Sequence, residues 1–179
     1  MEADWEVEIG GAAAVIEAEW PGFIDLRNDP ERVHELEEVA GFAPLGKLLR
    51  ALNAPASPVW TAKCDVWEAE LGELCCYVDL LPVIGRVFAE WAEAEKFCRA
   101  VVDRLAAKPD LDSGPETTAD LVIRAAVAGQ LEGFGVTAYL SAGPAAKADA
   151  EKALGTAMDA LADAVLLVEP RAGDGSKLQ

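Results

Sequence analysis

The stretch from Val59 to Pro82, VWTAKCDVWEAELGELCCYVDLLP, constrains the fold more than any other part of the chain. Apolar and polar side chains alternate on both sides of Glu70-Leu71-Gly72, and a three-residue loop with glycine at its left-handed third position is a favoured hairpin turn. This loop predicts a register in which Cys64 lies opposite Val78 on an apolar side. A slip by one residue would place Asp79 among apolar neighbours, so burial opposes it. The stretch therefore predicts two antiparallel strands with a defined pairing.

The other side of this predicted hairpin is polar and aromatic. It carries three cross-strand pairs: Lys63 with Asp79, Asp65 with Tyr77, and Trp67 with Cys75. Opposite charges and rings that face each other across strands stabilise a sheet, so these pairs agree with the register.

The same alternation predicts a hairpin near the start of the chain. In WEVEIGGAAAVIEAEW, a two-residue turn at Gly10-Gly11 sets Trp5 opposite Ile16 on an apolar side. The opposite side then carries four acids: Glu6, Glu8, Glu17 and Glu19.

A third hairpin is predicted to join LVIRAAVAG to FGVTAYLSAG across residues Gln130 to Gly133. Its polar side would place Arg124 opposite Tyr139, with Thr137 and Ser141 nearby. The stretch from Lys108 to Asp120 is expected to be a long polar loop.

A helical pattern follows each hairpin, and this order decides the predicted fold class. We expect an α+β fold with an antiparallel sheet built from three β-hairpin–helix (ββα) units, whose helices pack on one face. EAEKFCRAVVDRLA (residues 93–106) aligns without gaps on DAEKALGTAMDALA (residues 149–162), which favours an internal duplication of units 59–107 and 119–165. The C-terminal half would be ferredoxin-like if AVLLVEP is a closing strand rather than the last turns of a helix. A single domain is expected over residues 1–169, followed by a disordered tail over residues 170–179.

The charge balance excludes several classes of partner. The chain has 15 basic and 32 acidic side chains, a formal charge of −17, so nucleic acid and anionic membrane surfaces would be repelled. A basic protein or a cation would be attracted. We expect a cytoplasmic protein, because the sequence has neither a secretory leader nor an apolar run of membrane-spanning length.

The cysteines and the histidine predict neither a metal site nor a cofactor. Cys64 and Cys76 fall on the apolar side of their hairpin, Cys98 falls in a helical apolar stripe, and only Cys75 points to the polar side. The one histidine, His34, lies far from them in sequence, so neither zinc spacing nor a catalytic triad can be assembled.

The candidate site is the polar side of the sheet, which we call the polar face. Its ligand- or partner-contacting residues are predicted to be Lys63, Asp65, Trp67, Tyr77, Asp79, Arg124, Thr137 and Tyr139. The same pattern is typical of a sheet face that is merely solvated.

Three functions remain open at this point. The first is a non-enzymatic module that binds a small ligand, a protein partner or a second copy of itself on the polar face. The second is a small enzyme in which Lys63, Asp65, Asp79 and Arg124 act as acid, base or anion-orienting groups, with Tyr77 as donor. The third is an acidic inhibitor or immunity-type protein that binds a basic partner.

Overall fold

The computed structural model describes residues 1–8, 13–107 and 114–168. Its strands are β1 (Glu2–Val7), β2 (Ile16–Ala18), β3 (Val59–Glu68), β4 (Leu74–Pro82), β5 (Thr117–Ala128) and β6 (Leu131–Ala142). A 3₁₀ helix (Pro30–Glu35) is followed along the described chain by the α-helices α1 (Glu37–Gly41), α2 (Ala43–Leu52), α3 (Trp91–Ala106) and α4 (Lys147–Leu166).

The strands form one six-stranded sheet in the order β1-β5-β6-β4-β3, with β2 also paired to β5. β1 and β2 run parallel to β5, while the pairs β3–β4, β4–β6 and β6–β5 are antiparallel. The α+β class is confirmed, and the prediction of a purely antiparallel sheet is wrong because the sheet is mixed.

The first predicted hairpin is also wrong. β1 lies along residues 118–123 of β5 and β2 lies along residues 126–128, so both segments follow the same edge in the same direction. Consequently Trp5 pairs with Leu121 and Ile16 pairs with Ala126, and the two do not face each other. Trp5 packs against the helix-side core while Ile16 lies on the other side of the sheet, so the predicted shared apolar side is also wrong. Alternation relates the side chains within one segment, but it determines neither the face that a second segment presents nor the direction of a neighbouring strand. The predicted Gly10-Gly11 turn lies outside the described residues.

The second hairpin has the predicted loop and most of the predicted register. Ala69 donates its N–H to the carbonyl oxygen of Glu73 at 2.8 Å, and Gly72 has a φ of +78° in the left-handed region. Cys64 lies opposite Val78, as predicted.

A bulge between Thr61 and Cys64 shifts the register beyond this point. Thr61 rather than Ala62 therefore lies opposite Leu80, and the pairing of Lys63 with Asp79 is lost. One extra residue on a strand bends it and redirects its side chains.

The third hairpin turns earlier than predicted. Ala128 pairs with Leu131, so the turn consists of Gly129 and Gln130, with Gly129 at a φ of +63°. Tyr139 is therefore opposite Asp120, and Arg124 is opposite Gly135. β5 begins at Thr117, so the last part of the predicted polar loop is strand.

The helices pack on one side of the sheet and enclose the main core. Leu49 of α2, Val101 of α3 and Leu161 of α4 join Val78 and Leu121 of the sheet in one cluster of buried residues. Ala164 to Leu166, the first residues of AVLLVEP, end α4, and no closing strand is present among the described residues. The end of that stretch and the predicted disordered tail lie outside the described residues. The duplication and the ferredoxin-like half therefore remain predictions. No described helix has the length and apolarity needed to cross a bilayer.

A second apolar cluster, here called the outer cluster, lies on the opposite side of the sheet. It consists of Ile16, Ala18, Trp60, Leu81, Val87, Ala126 and Ala128. β2 pairs with β5 and also contacts β3 here, although β5 and β3 are three positions apart in the sheet order. In a flat sheet β5 and β3 would be about 14 Å apart. The contact between β2 and β3 therefore means that the sheet curls around the outer cluster.

Two glycines of β6 allow the close approach that the curl requires. A Cβ on Gly135 would lie 2.8 Å from Leu81 Cδ2 and 2.9 Å from Ile16 Cδ1, and one on Gly133 would overlap the carbonyl oxygen of Phe88. Phe88 and Phe134 exchange two backbone hydrogen bonds of 2.9 Å, which hold that carbonyl group in place.

Gly133→Ala is therefore expected to lower the free energy of unfolding by about 1–3 kcal/mol, the usual range for overpacking. Denaturant unfolding measures this value, with Gly41→Ala as control because a Cβ there meets nothing within 4 Å. Equal stabilities for the two variants would contradict the close approach.

The free edge of β3 is protected against pairing with another strand. The N–H of Thr61 is bound by the side-chain oxygen of Asn53 at 3.1 Å, and Asn53 donates to the Thr61 hydroxyl at 2.7 Å. Further along the strand, the Asp65 carboxylate accepts the N–H of Val66 at 2.7 Å. Side-chain caps, a bulge and charges are the usual protection of an edge strand, so the polar face is a better candidate for binding than this edge.

Candidate binding face

The predicted site residues, apart from Lys63, come together on the side of the sheet opposite the helices. They lie in cross-strand rows that run from β3 or β4 to β1. The rows are Trp67–Cys75–Ser141–Thr118–Glu2, Asp65–Tyr77–Tyr139–Asp120–Asp4, and Asp79–Thr137–Val122–Glu6. Every second residue of a strand faces the same way, so register places these side chains together.

The second row, here called the tyrosine row, is the centre of the polar face. Tyr77 and Tyr139 lie directly opposite each other on β4 and β6, with ring centroids 6.0 Å apart. Asp65 flanks Tyr77, and Asp120 flanks Tyr139. The ring of Trp67 lies 6.2 Å from that of Tyr77, and the tryptophan is 38% exposed. Three adjacent strands, β3, β4 and β6, therefore present a continuous aromatic surface between the carboxylates of Asp65 and Asp120.

Arg124 is held by several partners beside this row. Its Nη1 donates to the Tyr139 hydroxyl at 2.7 Å and to Thr137 Oγ1 at 3.3 Å, while its Nε donates to Glu8 Oε2 at 2.5 Å. The guanidinium carbon lies 5.3 Å from the centroid of the Tyr139 ring. These contacts fix the orientation of Tyr139, because they bind both its hydroxyl group and its ring.

Asp79 is a buried carboxylate in the middle of the polar face. It is only 4% exposed, and the hydroxyl of Thr137 donates a hydrogen bond of 2.6 Å to its Oδ1. Burial raises the pKa of Asp79 to about 6, although the Thr137 bond and the positive charges of Lys63 and Arg124 act in the opposite direction. Holding an ionised carboxylate here costs folding free energy near neutral pH.

A cleft of about 370 Å³ opens at the β1 end of the tyrosine row. Its lining residues are Asp4, Trp5, Glu6, Asp120, Val122, Arg124 and Tyr139. Burial raises the pKa of Asp120, and the nearby negative charges of Asp4 and Glu6 add to this effect. The volume is at the small end of the range for ligand pockets, roughly 300–1,000 Å³, so the cleft suits one side chain or a small molecule.

Sequence reasoning missed Asp4 and Asp120, which line this cleft. A usable signal existed, because Glu2, Asp4 and Glu6 continue the acidic alternation toward the N-terminus. Asp120 lies four positions before Arg124, an even offset, and so shares its face. Assigning residues 108–120 to a loop concealed this relation.

Lys63 does not take the position predicted for it. Its ammonium lies 3.4 Å from Glu17 of β2 and 5.6 Å from the ring of Trp20, because the bulge turns it toward the outer cluster. The predicted proton-transfer arrangement of Lys63 with Asp65 and Asp79 therefore has no hydrogen-bonded geometry in the structure.

The thiols lie where the sequence predicted, Cys64 and Cys76 among core residues and Cys98 within α3. Burial raises the pKa of both Cys64 and Cys98 to about 12, so neither thiolate is populated near neutral pH. Cys75 shares the side of Trp67 and Ser141 but is itself buried.

Within the described ranges, no three histidine, cysteine, aspartate or glutamate side chains form a group that could hold a metal ion. No protein-family model, curated protein or solved structure matches this chain. The geometry of the polar face is thus the basis for assigning a function.

Proposed function

We propose that this chain is a non-enzymatic binding module that holds a ligand or a partner chain on the polar face of its sheet. The observation that carries the proposal is the tyrosine row, in which Tyr77 and Tyr139 form one surface between Asp65 and Asp120. Tyrosine and tryptophan supply contact area at a low cost in side-chain entropy, and their polar atoms orient the bound group.

Asp79 distinguishes this surface from a merely solvated sheet face. A buried carboxylate whose ionisation costs folding free energy gives no advantage to a face that is merely solvated. Binding sites, in contrast, often retain such groups. Asp79 also holds Thr137, which in turn contacts Arg124 beside Tyr139. The carboxylate therefore supports the arrangement of the aromatic surface.

The enzymatic alternative has weaker support. Asp79 is the group of the polar face whose pKa approaches neutrality, but its burial keeps a substrate away from the carboxylate. Lys63 pairs with Glu17 instead of joining it. A general acid or base must reach the reacting atom within hydrogen-bonding distance, so the proposal does not extend to catalysis.

The proposed duplication would explain why the row is symmetric. In units 59–107 and 119–165, β4 and β6 are the second strands, and Tyr77 and Tyr139 lie opposite each other where these strands pair. Asp65 and Asp120, on the first strands, are each the cross-strand partner of the tyrosine in their own unit. A duplicated ββα unit thus brings two copies of an Asp–Tyr pair together at a local two-fold axis.

Trp67→Ala is expected to weaken binding at this face by about 30-fold or more, the range in which buried aromatic contacts act as hot spots. Suitable probes are a randomised octapeptide array and a fragment library, screened for ligands of the unmodified protein. Each ligand found is then titrated by calorimetry against the variant.

Trp91→Ala provides the matched control, because Trp91 is 47% exposed but begins α3 on the helical side. The proposal requires that ligands retain their affinity for this control. If every ligand binds Trp67→Ala and Trp91→Ala with the same affinity, the polar face is not the binding surface. The same conclusion follows if Tyr77→Ala and Tyr139→Ala leave all affinities unchanged.

A further inference from the structure

We infer that the occupant of the polar face is an extended, basic polypeptide segment that crosses the strands along the tyrosine row. This inference rests on the proposed function and adds to it the chemistry and conformation of the partner. Aromatic rings and carboxylates together recognise ammonium and guanidinium groups, through the ring faces and through charge-assisted hydrogen bonds.

The charges along the row select a cation. Asp65, Asp120 and Asp4 lie on the tyrosine row. Glu6 lines the cleft together with Asp4 and Asp120. Among the described residues, no lysine or arginine forms an ion pair with any of these four carboxylates. Arg124, the guanidinium of the cleft, is already held by Glu8. A basic side chain would therefore supply the charge that the row lacks.

The structure also contains an internal example of this recognition. The Arg124 guanidinium lies over the Tyr139 ring at 5.3 Å and binds a carboxylate, Glu8, at its Nε. A guanidinium from a partner would find the same two kinds of group at Tyr77 and Asp65, which are direct cross-strand neighbours. The contacts of Arg124 thus indicate how Tyr77 and Asp65 would bind a second cation.

The spacing of the carboxylates indicates an extended segment. Asp65 and Asp120 are separated by three strand positions, about 14 Å measured along the surface of the sheet. Residues four apart in an extended chain are also about 14 Å apart and point to the same side. Two basic residues at positions i and i+4 would therefore match the two ends of the tyrosine row.

The size and charge of the polar face argue against a second copy of this chain. Five strands and the seven residues from Glu2 to Glu8 cover roughly 20 by 20 Å, about 400 Å². A stable globular interface uses about 800 Å² on each partner. Two copies would also bring like charges together, since each chain carries a net charge of −17.

The test uses three labelled heptapeptides in fluorescence anisotropy at low and at physiological ionic strength. The first is Ser-Arg-Ser-Gly-Ser-Arg-Ser, with arginines four apart, and the second has the same composition with adjacent arginines. The third replaces both arginines by glutamate. Arginine methyl ester serves as an unlabelled small cation in competition.

The protein variants separate site charge from net charge. Glu6→Gln combined with Asp120→Asn removes two charges from the cleft, and Asp103→Asn combined with Asp149→Asn removes two exposed charges from α3 and α4. We expect the spaced peptide to bind most tightly, to weaken with salt, and to lose at least about tenfold in affinity in the cleft variant only.

Each other result overturns the inference. Equal affinity for the two arginine peptides, or equal losses in the two double variants, would mean attraction by net charge alone. Arginine methyl ester competing as well as the spaced peptide would mean that the occupant is a small cation. If the peptides fail but other probes bind in a manner that depends on Trp67, the binding function stands without this partner class. If no probe depends on Trp67, both proposals fail.

Discussion

Trp60→Ala is expected to lower the free energy of unfolding by about 3–5 kcal/mol, the range for truncating a fully buried aromatic side chain. Trp60 is 0% exposed and lies in the outer cluster. Its Nε1 donates to the carbonyl oxygen of Pro82 at 3.1 Å, and the guanidinium of Arg27 lies 3.9 Å from its ring centroid. The substitution would thus remove packing and leave a buried carbonyl group without its donor.

Two comparisons make this prediction specific. Trp60→Phe retains most of the ring but loses the N–H donor, so we expect an intermediate loss of about 1–2 kcal/mol. Trp91→Ala, at a 47% exposed position, should change stability by less than about 0.5 kcal/mol. Urea unfolding followed by circular dichroism measures all three. If the free energy of unfolding of Trp60→Ala were within about 1 kcal/mol of that of the unmodified protein, the outer cluster would not stabilise the curled sheet.

Asp79→Asn is expected to stabilise the protein by about 2–3 kcal/mol at pH 8, since each unit of pKa shift corresponds to about 1.4 kcal/mol. The folded-state pKa of about 6 is above the value of an unfolded aspartate, so the folded state favours the protonated carboxyl. The asparagine has no charge to bury, and its side-chain oxygen can still accept the hydrogen bond from Thr137.

The pH dependence follows from the same shift. A carboxyl whose pKa is raised on folding contributes most stability below its unfolded pKa, and that contribution is lost as the pH rises through about 6. The difference between Asp79→Asn and the unmodified protein should therefore be largest at about pH 8 and should vanish near pH 3.5. Thermal unfolding across this range measures it, with Asp103→Asn, at an exposed position of α3, as the control variant. A variant less stable than the unmodified protein at pH 8 would contradict the cost assigned to Asp79.

The pairing of β3 with β4 could be predicted because local chemistry determines it. The loop at Gly72 has one favoured conformation, and the burial of Cys76 and Val78 excludes a slipped register. The membership of the polar face follows from alternation alone, which is why Tyr77, Asp79 and Tyr139 were predicted to share it. Both features require only residues that are close in sequence or paired through a short turn.

The parallel strands and the bulge could not be predicted in the same way. β1 pairs with β5, more than a hundred residues away, and alternation in β1 is the same for either direction. The bulge near Lys63 lies beside Trp60 and Ala62, which pack in and against the outer cluster, and this cluster assembles only in the folded chain. The position of Lys63 was therefore wrong, and the cleft formed by β1 and β5 was missed.

The most direct test of the binding face is a titration of ¹⁵N-labelled protein with the spaced arginine peptide, followed by amide chemical shifts. The polar face lies on the opposite side of the sheet from α3 and α4, so the two sides should respond differently. We expect saturable shifts centred on Tyr77, Tyr139 and Asp120, with small changes in both helices. Shifts centred on α3 or α4, or none at peptide concentrations that saturate anisotropy, would contradict binding at the tyrosine row.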